Sequence, residues 1–202
     1  MKILIGTNNQ DKLAQYRRVF QEANFDAEIL SLADLQIDFD VEEDGDNLLH
    51  NAQKKAREYA EISGLLTMAD DTGLFVDALD GEPGIHAKRW HAGTEYERCL
   101  KLLDRMEDVP KDQRSARYIG VVATYDPRNK EAWFHETKAE GFIVGSADEM
   151  KGDNGFGYDP ILHVTSFGKN YAELSNSEID MISHRTNGIR EFIKKYSGID
   201  CE

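Results

Sequence analysis

Apolar residues along this chain recur with two spacings, two and three-to-four, and the alternation between them divides the sequence into elements. KILIG reads as a buried strand, the polar turn TNN follows, and a helix runs from about Asp11 to Glu22 with Leu13, Tyr16 and Phe20 on one face. Residues 46 to 62 form a second helix, in which Leu49, Ala52, Ala56 and Tyr59 share a face and ISG ends the element with glycine. LLTMA is the next strand, DDTG its corner and LFVDAL a further extended segment. A third helix opens with TEYE, a capping box of Thr94 and Glu97, and turns Tyr96, Leu100, Leu103 and Met106 inward. From Ser115 to Val144 the pattern becomes that of antiparallel strands about a Pro-Arg-Asn turn. A final helix spans about Glu178 to Tyr196, with Ser177 as its N-cap and Ile182, Ile189, Phe192 and Tyr196 as its apolar stripe.

Helices interleave with strands early, and strands pair with one another late. No internal repeat and no Pro/Gly/Ser-rich linker divides the chain. The expected architecture is therefore one α/β domain over residues 1–202, a mixed β-sheet with flanking helices in two lobes around a central cleft.

Composition narrows the function classes. The 202 residues are 40% hydrophobic, enough for a buried core. The longest apolar runs are too short to cross a bilayer, and KILIG is followed by polar TNNQDK rather than a small-residue cleavage site, so a cytoplasmic protein is expected. Cys99 and Cys201 form neither a disulfide framework nor a metal-ligand spacing. A net charge of −14 argues against a nucleic-acid polymer as partner, since such binders displace counterions with a basic surface. A single nucleotide is compatible with that charge when a divalent metal shields its phosphates.

Four stretches carry candidate chemistry. In GTNNQDK a strand turns into a helix whose first backbone N–H groups and dipole favour an anion, and Lys12 adds a positive charge; the same residues also describe an ordinary capped helix. EEDGDN packs four carboxylates into five positions, either a solvated loop or a source of one or two oxygen ligands for Mg2+. At the DDTG corner, Asp70 and Asp71 either cap a turn in which Gly73 supplies a positive φ, or repel one another until a divalent cation compensates. GFGYDP offers a rigid aromatic loop on which a base can stack, and Phe156 reads equally as core. His184 and Arg185, adjacent on one helix, should diverge by about 100° and reach different groups, or else stand as solvated surface charge.

Taken in order, TNNQDK, EEDGDNLLHNAQKKA, ADDTGLFVDALDGEPGI, GFGYDPI and ISHR resemble the inosine triphosphate pyrophosphatase family over nearly the whole chain. The resemblance implies an elongated α/β protein with a central cleft, typically a homodimer. It also implies a Mg2+-dependent hydrolase that cleaves non-standard purine nucleoside triphosphates between the α and β phosphates. Carried over by position, Thr7, Asn8, Asn9 and Lys12 would hold phosphates, Lys12 sharing the catalytic charge, and Thr72 would supply a phosphate-contacting hydroxyl. Glu43 and Asp71 would hold the metal with Asp70 in support, and Asp71 would also be the base for water. Phe156, Gly157, Tyr158 and Asp159 would form the base pocket, with His184 and Arg185 reading the purine.

Three positions depart from the family pattern. Asn8 replaces a glycine whose conformation it would have to adopt, and His50 replaces a glutamate near the metal. Ile179 stands where the family carries a lysine before SHR, with Lys169 nearby in sequence. These departures keep open a remodelled base preference, a nucleotide sensor without turnover, and an acidic surface that serves a protein partner.

Overall fold

The computed structural model describes residues 1–153 and 157–197. The chain divides into two compact units, one of Met1–Asp71, Gly120–Thr137 and Ser183–Glu202, the other of Thr72–Ile119 and Lys138–Ile182. Both are built on an eight-stranded mixed sheet.

In the first unit, β1 (Lys2–Ile5) lies between β2 (Glu28–Ser31) and the start of β3 (Leu66–Val76), parallel to both. A strand covered on both faces reads as a continuous apolar run, which is why KILI shows no alternation. Ile3 and Ile5 join Leu66, Met68 and Val122 under α1 (Gln10–Glu22) and the last helix, α5 (His184–Ser197), whereas Leu4 packs with Leu32, Val41 and Tyr59. Tyr59 belongs to α2 (Leu48–Ser63), so α1 and α2 cover opposite faces. Asn9 caps α1, and Gly64 closes α2 in the left-handed conformation. Because β1 has β2 on one side and β3 on the other, the chain reverses its direction of winding at β1, and the carboxyl end of β1 and the β3 residues just past Met68 flank the point of reversal.

The second unit takes the rest of β3, β4 (Pro83–Gly84), α3 (Glu95–Arg105), the first part of β5 (Ser115–Asp126), the last part of β6 (Glu131–Ile143), β7 (Leu162–Val164), β8 (Lys169–Asn170) and α4 (Asn176–Ile182). The expected capping box of Thr94 and Glu97 opens α3. The face it buries is Cys99, Leu102, Leu103 and Met106, and Tyr96, expected inside, is 59% exposed. A buried Arg114 donates to the carbonyls of Met106, Val109, Ile143 and Val144 at 2.7 to 3.1 Å, tying the end of α3 to the end of β6.

Two expected elements differ. The DDTG corner is absent: β3 runs straight through it, and Gly73 is extended rather than left-handed. Glycine is needed there because a Cβ would come within 2.5 Å of the Gly84 carbonyl oxygen on β4. The single final helix is interrupted at Ser183, and the cap of α4 is Ser175, not Ser177. Ser175 Oγ accepts from Glu178 N while the Glu178 carboxylate accepts from Ser175 N, a reciprocal pair that Ser177 lies too far along the turn to make.

Candidate active site

β1 leaves the sheet at Gly6, whose N–H donates to the Met68 carbonyl at 2.8 Å; a Cβ at Gly6 would lie 2.7 Å from the Tyr59 ring. The turn that follows is set by side chains. Thr7 Oγ1 accepts from Asn9 N, Asn9 Oδ1 accepts from Asp11 N and Lys12 N, and Asn8 Nδ2 donates to Asp40 at 2.7 Å. Asn8 is not among the residues of positive φ, so the glycine-like backbone expected of it is not required.

Strand geometry answers the puzzle of the paired aspartates. Successive side chains of a strand point to opposite faces, so Asp70 continues the line of Leu66 and Met68 toward α1 and α5, while Asp71 faces α2. Asp70, 2% exposed, has its Oδ2 beside Lys12 Nζ at 2.8 Å, Arg185 Nη2 at 3.0 Å, Arg185 Nε at 3.1 Å and His184 Nε2 at 3.3 Å. Burial alone would push its carboxyl up; Arg185, then Lys12, together with the His184 hydrogen bond, hold it well below the usual carboxylate range. Burial, then the charge of Arg185, lowers His184 to about 4, so the ring is neutral at pH 7 and donates from Nε2. The expected divergence of His184 and Arg185 is thus replaced by convergence on one oxygen, because the helix break at Ser183 places both at the first turn of α5.

On the other face, Asp71 Oδ2 accepts from Asn51 Nδ2 at 3.1 Å, and Asn51 Oδ1 accepts from Gly45 N at 2.8 Å. The acidic loop is therefore fastened to β3 through one buried amide, with Gly45 required because a Cβ would lie 2.6 Å from Asn51 Oδ1. Lys55 Nζ sits 2.7 Å from Glu43 Oε1, 3.5 Å from Asp71 Oδ1 and 2.7 Å from the Asp70 carbonyl. Burial raises the Asp71 carboxyl, Lys55 opposes this and the negative charge of Glu43 adds to it, leaving a net rise. Two other acidic side chains of the loop pair outward, Asp44 with Lys54 and Asp46 with His50, so His50 is drawn to solvent rather than to Asp71.

Among the described residues no cluster of three or more His, Cys, Asp and Glu forms a ready metal cage. Mg2+ does not need one: it takes one or two carboxylates and fills its octahedron with water and phosphate oxygens. Glu43 and Asp71 meet that requirement around the spot now bridged by the Lys55 ammonium, whereas Asp70 is committed to cations on the opposite face.

The remaining expected residues lie in the second unit. Thr72 is half-buried in β3. Gly157 has φ 69° and its carbonyl accepts from Cys99 Sγ; Tyr158 is core, its hydroxyl donating to the Ala87 carbonyl; buried Asp159 accepts from Tyr118 Oη at 2.8 Å. Phe156 lies outside the described residues. Sequence reasoning missed Asn51, Lys55 and Gln15. Asn51, Lys55 and Tyr59 follow one another at spacings of four, and polar residues on an otherwise apolar arc were the available signal.

Residues 3–195 match the profile of the Ham1 family. A dITP/XTP pyrophosphatase of Thermoanaerobacter sp. (strain X514) is 40% identical over 198 residues, 97% of this chain and 96% of that one. Another of the same name from Oceanobacillus iheyensis is 40% identical over 197 residues, 96% of each. Among solved structures, the Ham1 protein of Staphylococcus aureus superposes with a TM-score of 0.85 at 32% identity, covering 98% of this chain and 99% of its own, and that of Coxiella burnetii with 0.87 at 31%, covering 98% and 100%. Motif order, fold and full-length similarity agree, and the chain belongs to the Ham1 family.

Proposed function

We propose that this chain hydrolyses non-standard purine nucleoside triphosphates, dITP, XTP and ITP, to the monophosphate and pyrophosphate in a Mg2+-dependent reaction that clears them from the nucleotide pool. The names of its full-length relatives support the reaction class. The observation that carries the mechanism is the meeting of Glu43, Asp71 and Lys55 at the part of β3 just past its pairing with β1, beside a winding reversal of the kind at which open α/β sheets bind ligands.

Glu43 and Asp71 would hold Mg2+, which supplies charge neutralisation on the phosphates. Lys55 and Lys12 add positive charge, and the Thr7–Asn9 turn presents the start of α1 to the anion. Asp71, oriented by Asn51, takes a proton from water; the water oxygen bonds to phosphorus, the α–β anhydride bond breaks and pyrophosphate leaves. Asp70 keeps Lys12, His184 and Arg185 in place, and Arg185 is the donor assigned to a purine 6-keto group. A 6-amino group would set donor against donor, at a cost of about 1–3 kcal/mol. Homodimeric assembly and a cytoplasmic location belong to the same proposal; among the described residues no helix is long and apolar enough to cross a membrane.

The test is pyrophosphate release with and without Mg2+ from dITP, XTP, ITP, ATP, GTP and UTP, beside the Asp71→Asn protein. Metal-dependent turnover of the keto purines that vanishes in the variant is expected. Tight binding without turnover would make the chain a sensor instead, and a different preferred base would move the specificity away from purine O6.

A further inference from the structure

Gln15, on α1, makes three side-chain hydrogen bonds to one short segment. Its Oε1 accepts from Arg185 Nη1 at 3.3 Å, and its Nε2 donates to Ser183 Oγ at 2.8 Å and Thr186 Oγ1 at 3.3 Å. An arginine only donates, so the amide must present its oxygen to Arg185 and its nitrogen to the two hydroxyls; the orientation is dictated by the network. Ser183, Arg185 and Thr186 are all buried, Thr186 completely. One side chain of α1 thus grips the residues on either side of Arg185 as well as its guanidinium.

The guanidinium is a planar fork, and two acceptors fix its plane. Asp70 accepts from Nε, with Nη2 at ion-pair distance of the same oxygen, and Gln15 accepts from Nη1. Asp70 also holds Lys12 and His184, so it fixes the charge balance of the cluster. Gln15 carries no charge, and its side-chain bonds go to Ser183, Arg185 and Thr186; its contribution is the direction in which Arg185 points.

We propose that Gln15 is a positioning residue for base selection, holding Arg185 in the orientation that distinguishes a keto from an amino purine. This rests on the triphosphatase reading above. Selection by hydrogen bonding depends on a donor kept in one place, because a donor that swings can turn away from an amino group and so stops rejecting it.

The experiment compares kcat/KM for XTP and ATP in the wild type, Gln15→Leu and Gln15→Glu. The leucine fills similar volume without polar contacts. The glutamate keeps an acceptor for Arg185, and the Ser183 and Thr186 hydroxyls can turn to donate to it. Gln15→Leu is expected to lower the XTP/ATP ratio about tenfold, with most of the change a gain in kcat/KM for ATP, and Gln15→Glu to keep most of the ratio. The rise in melting temperature produced by each nucleotide with Mg2+ reads the same preference without turnover. An equal fall for both nucleotides, or an unchanged ratio in Gln15→Leu, would overturn the positioning role and leave Gln15 as packing. A wild type that releases no pyrophosphate from XTP yet shows the altered binding preference in Gln15→Leu would instead remove the hydrolase reading and keep this one.

Discussion

Asp70 and Asp71 are neighbours in sequence with opposite electrostatic fates, and the difference comes from the faces on which a strand places them. Asp70 is the counter-ion of Lys12 and Arg185, both largely withdrawn from water. Removing its charge leaves those cations uncompensated, so Asp70→Asn should cost about 3–5 kcal/mol in urea unfolding. Asp71→Asn keeps an acceptor for Asn51 and relieves the repulsion with Glu43, so its stability should stay within about 1 kcal/mol of wild type while turnover is lost. Equal destabilisation by the two substitutions would contradict the division of the pair. Arg185→Ala belongs with Asp70, and a loss of stability of comparable size is expected alongside any change in base preference. The sequence makes the residues of this pair conspicuous but not their separation: read as a corner, DDTG sends both carboxylates to one cation, and only the continuous strand shows that each has its own partners.

At the scale of elements, what was legible was what local chemistry decides. The capping box at Thr94, the glycine stop at Gly64 and the apolar arc of α1 are settled within a few residues of chain. What was not legible depends on residues far apart in sequence: Gly73 is needed by the carbonyl of Gly84, Arg114 by four carbonyls just past α3 and at the end of β6, and Ser183, at the helix break, meets Gln15 through its hydroxyl. The seating of α5 on β5 is the sharpest of these. A Cβ on Gly120 would collide with the ring of His184, and one on Gly188 would come 2.7 Å from Val122, so helix and strand meet through two glycines. Gly120→Ala should therefore destabilise by about 1–3 kcal/mol through overpacking and displace His184 from Asp70. Combining it with His184→Ala opens the space again, and the double variant should cost clearly less than the sum of the singles. Additive costs in urea titrations of the four proteins would mean that the ring and the glycine do not constrain one another.

For the molecule as a whole, two effects of acid oppose each other. The chain carries a net charge of −14 at pH 7, and protonating surface carboxylates relieves self-repulsion, which favours the compact state as pH falls. The buried cluster works the other way. His184 is neutral in the folded protein, with its pKa lowered to about 4, while an unfolded histidine titrates near 6.5. Between those values the unfolded chain binds the extra proton, so the stability owed to a neutral His184 is complete above about pH 6.5 and drains away as pH drops toward 4. Asp70, whose folded pKa is depressed, contributes stability above its unfolded value near 3.9 and loses it only at lower pH, so the histidine acts first. Salt at about 0.5 M shortens the screening length to a few ångströms and mutes the surface term while leaving the buried one. Under that salt, urea unfolding from pH 7 to 4.5 should show the wild type losing about 2–3 kcal/mol more than His184→Gln, whose amide can still donate to Asp70 but takes up no proton. Parallel curves for the two proteins would mean that His184 binds protons equally in the folded and unfolded chain and is not held neutral by burial, and a wild type that lost less than His184→Gln would mean that the imidazole is charged against Asp70 as a third cation of the cluster.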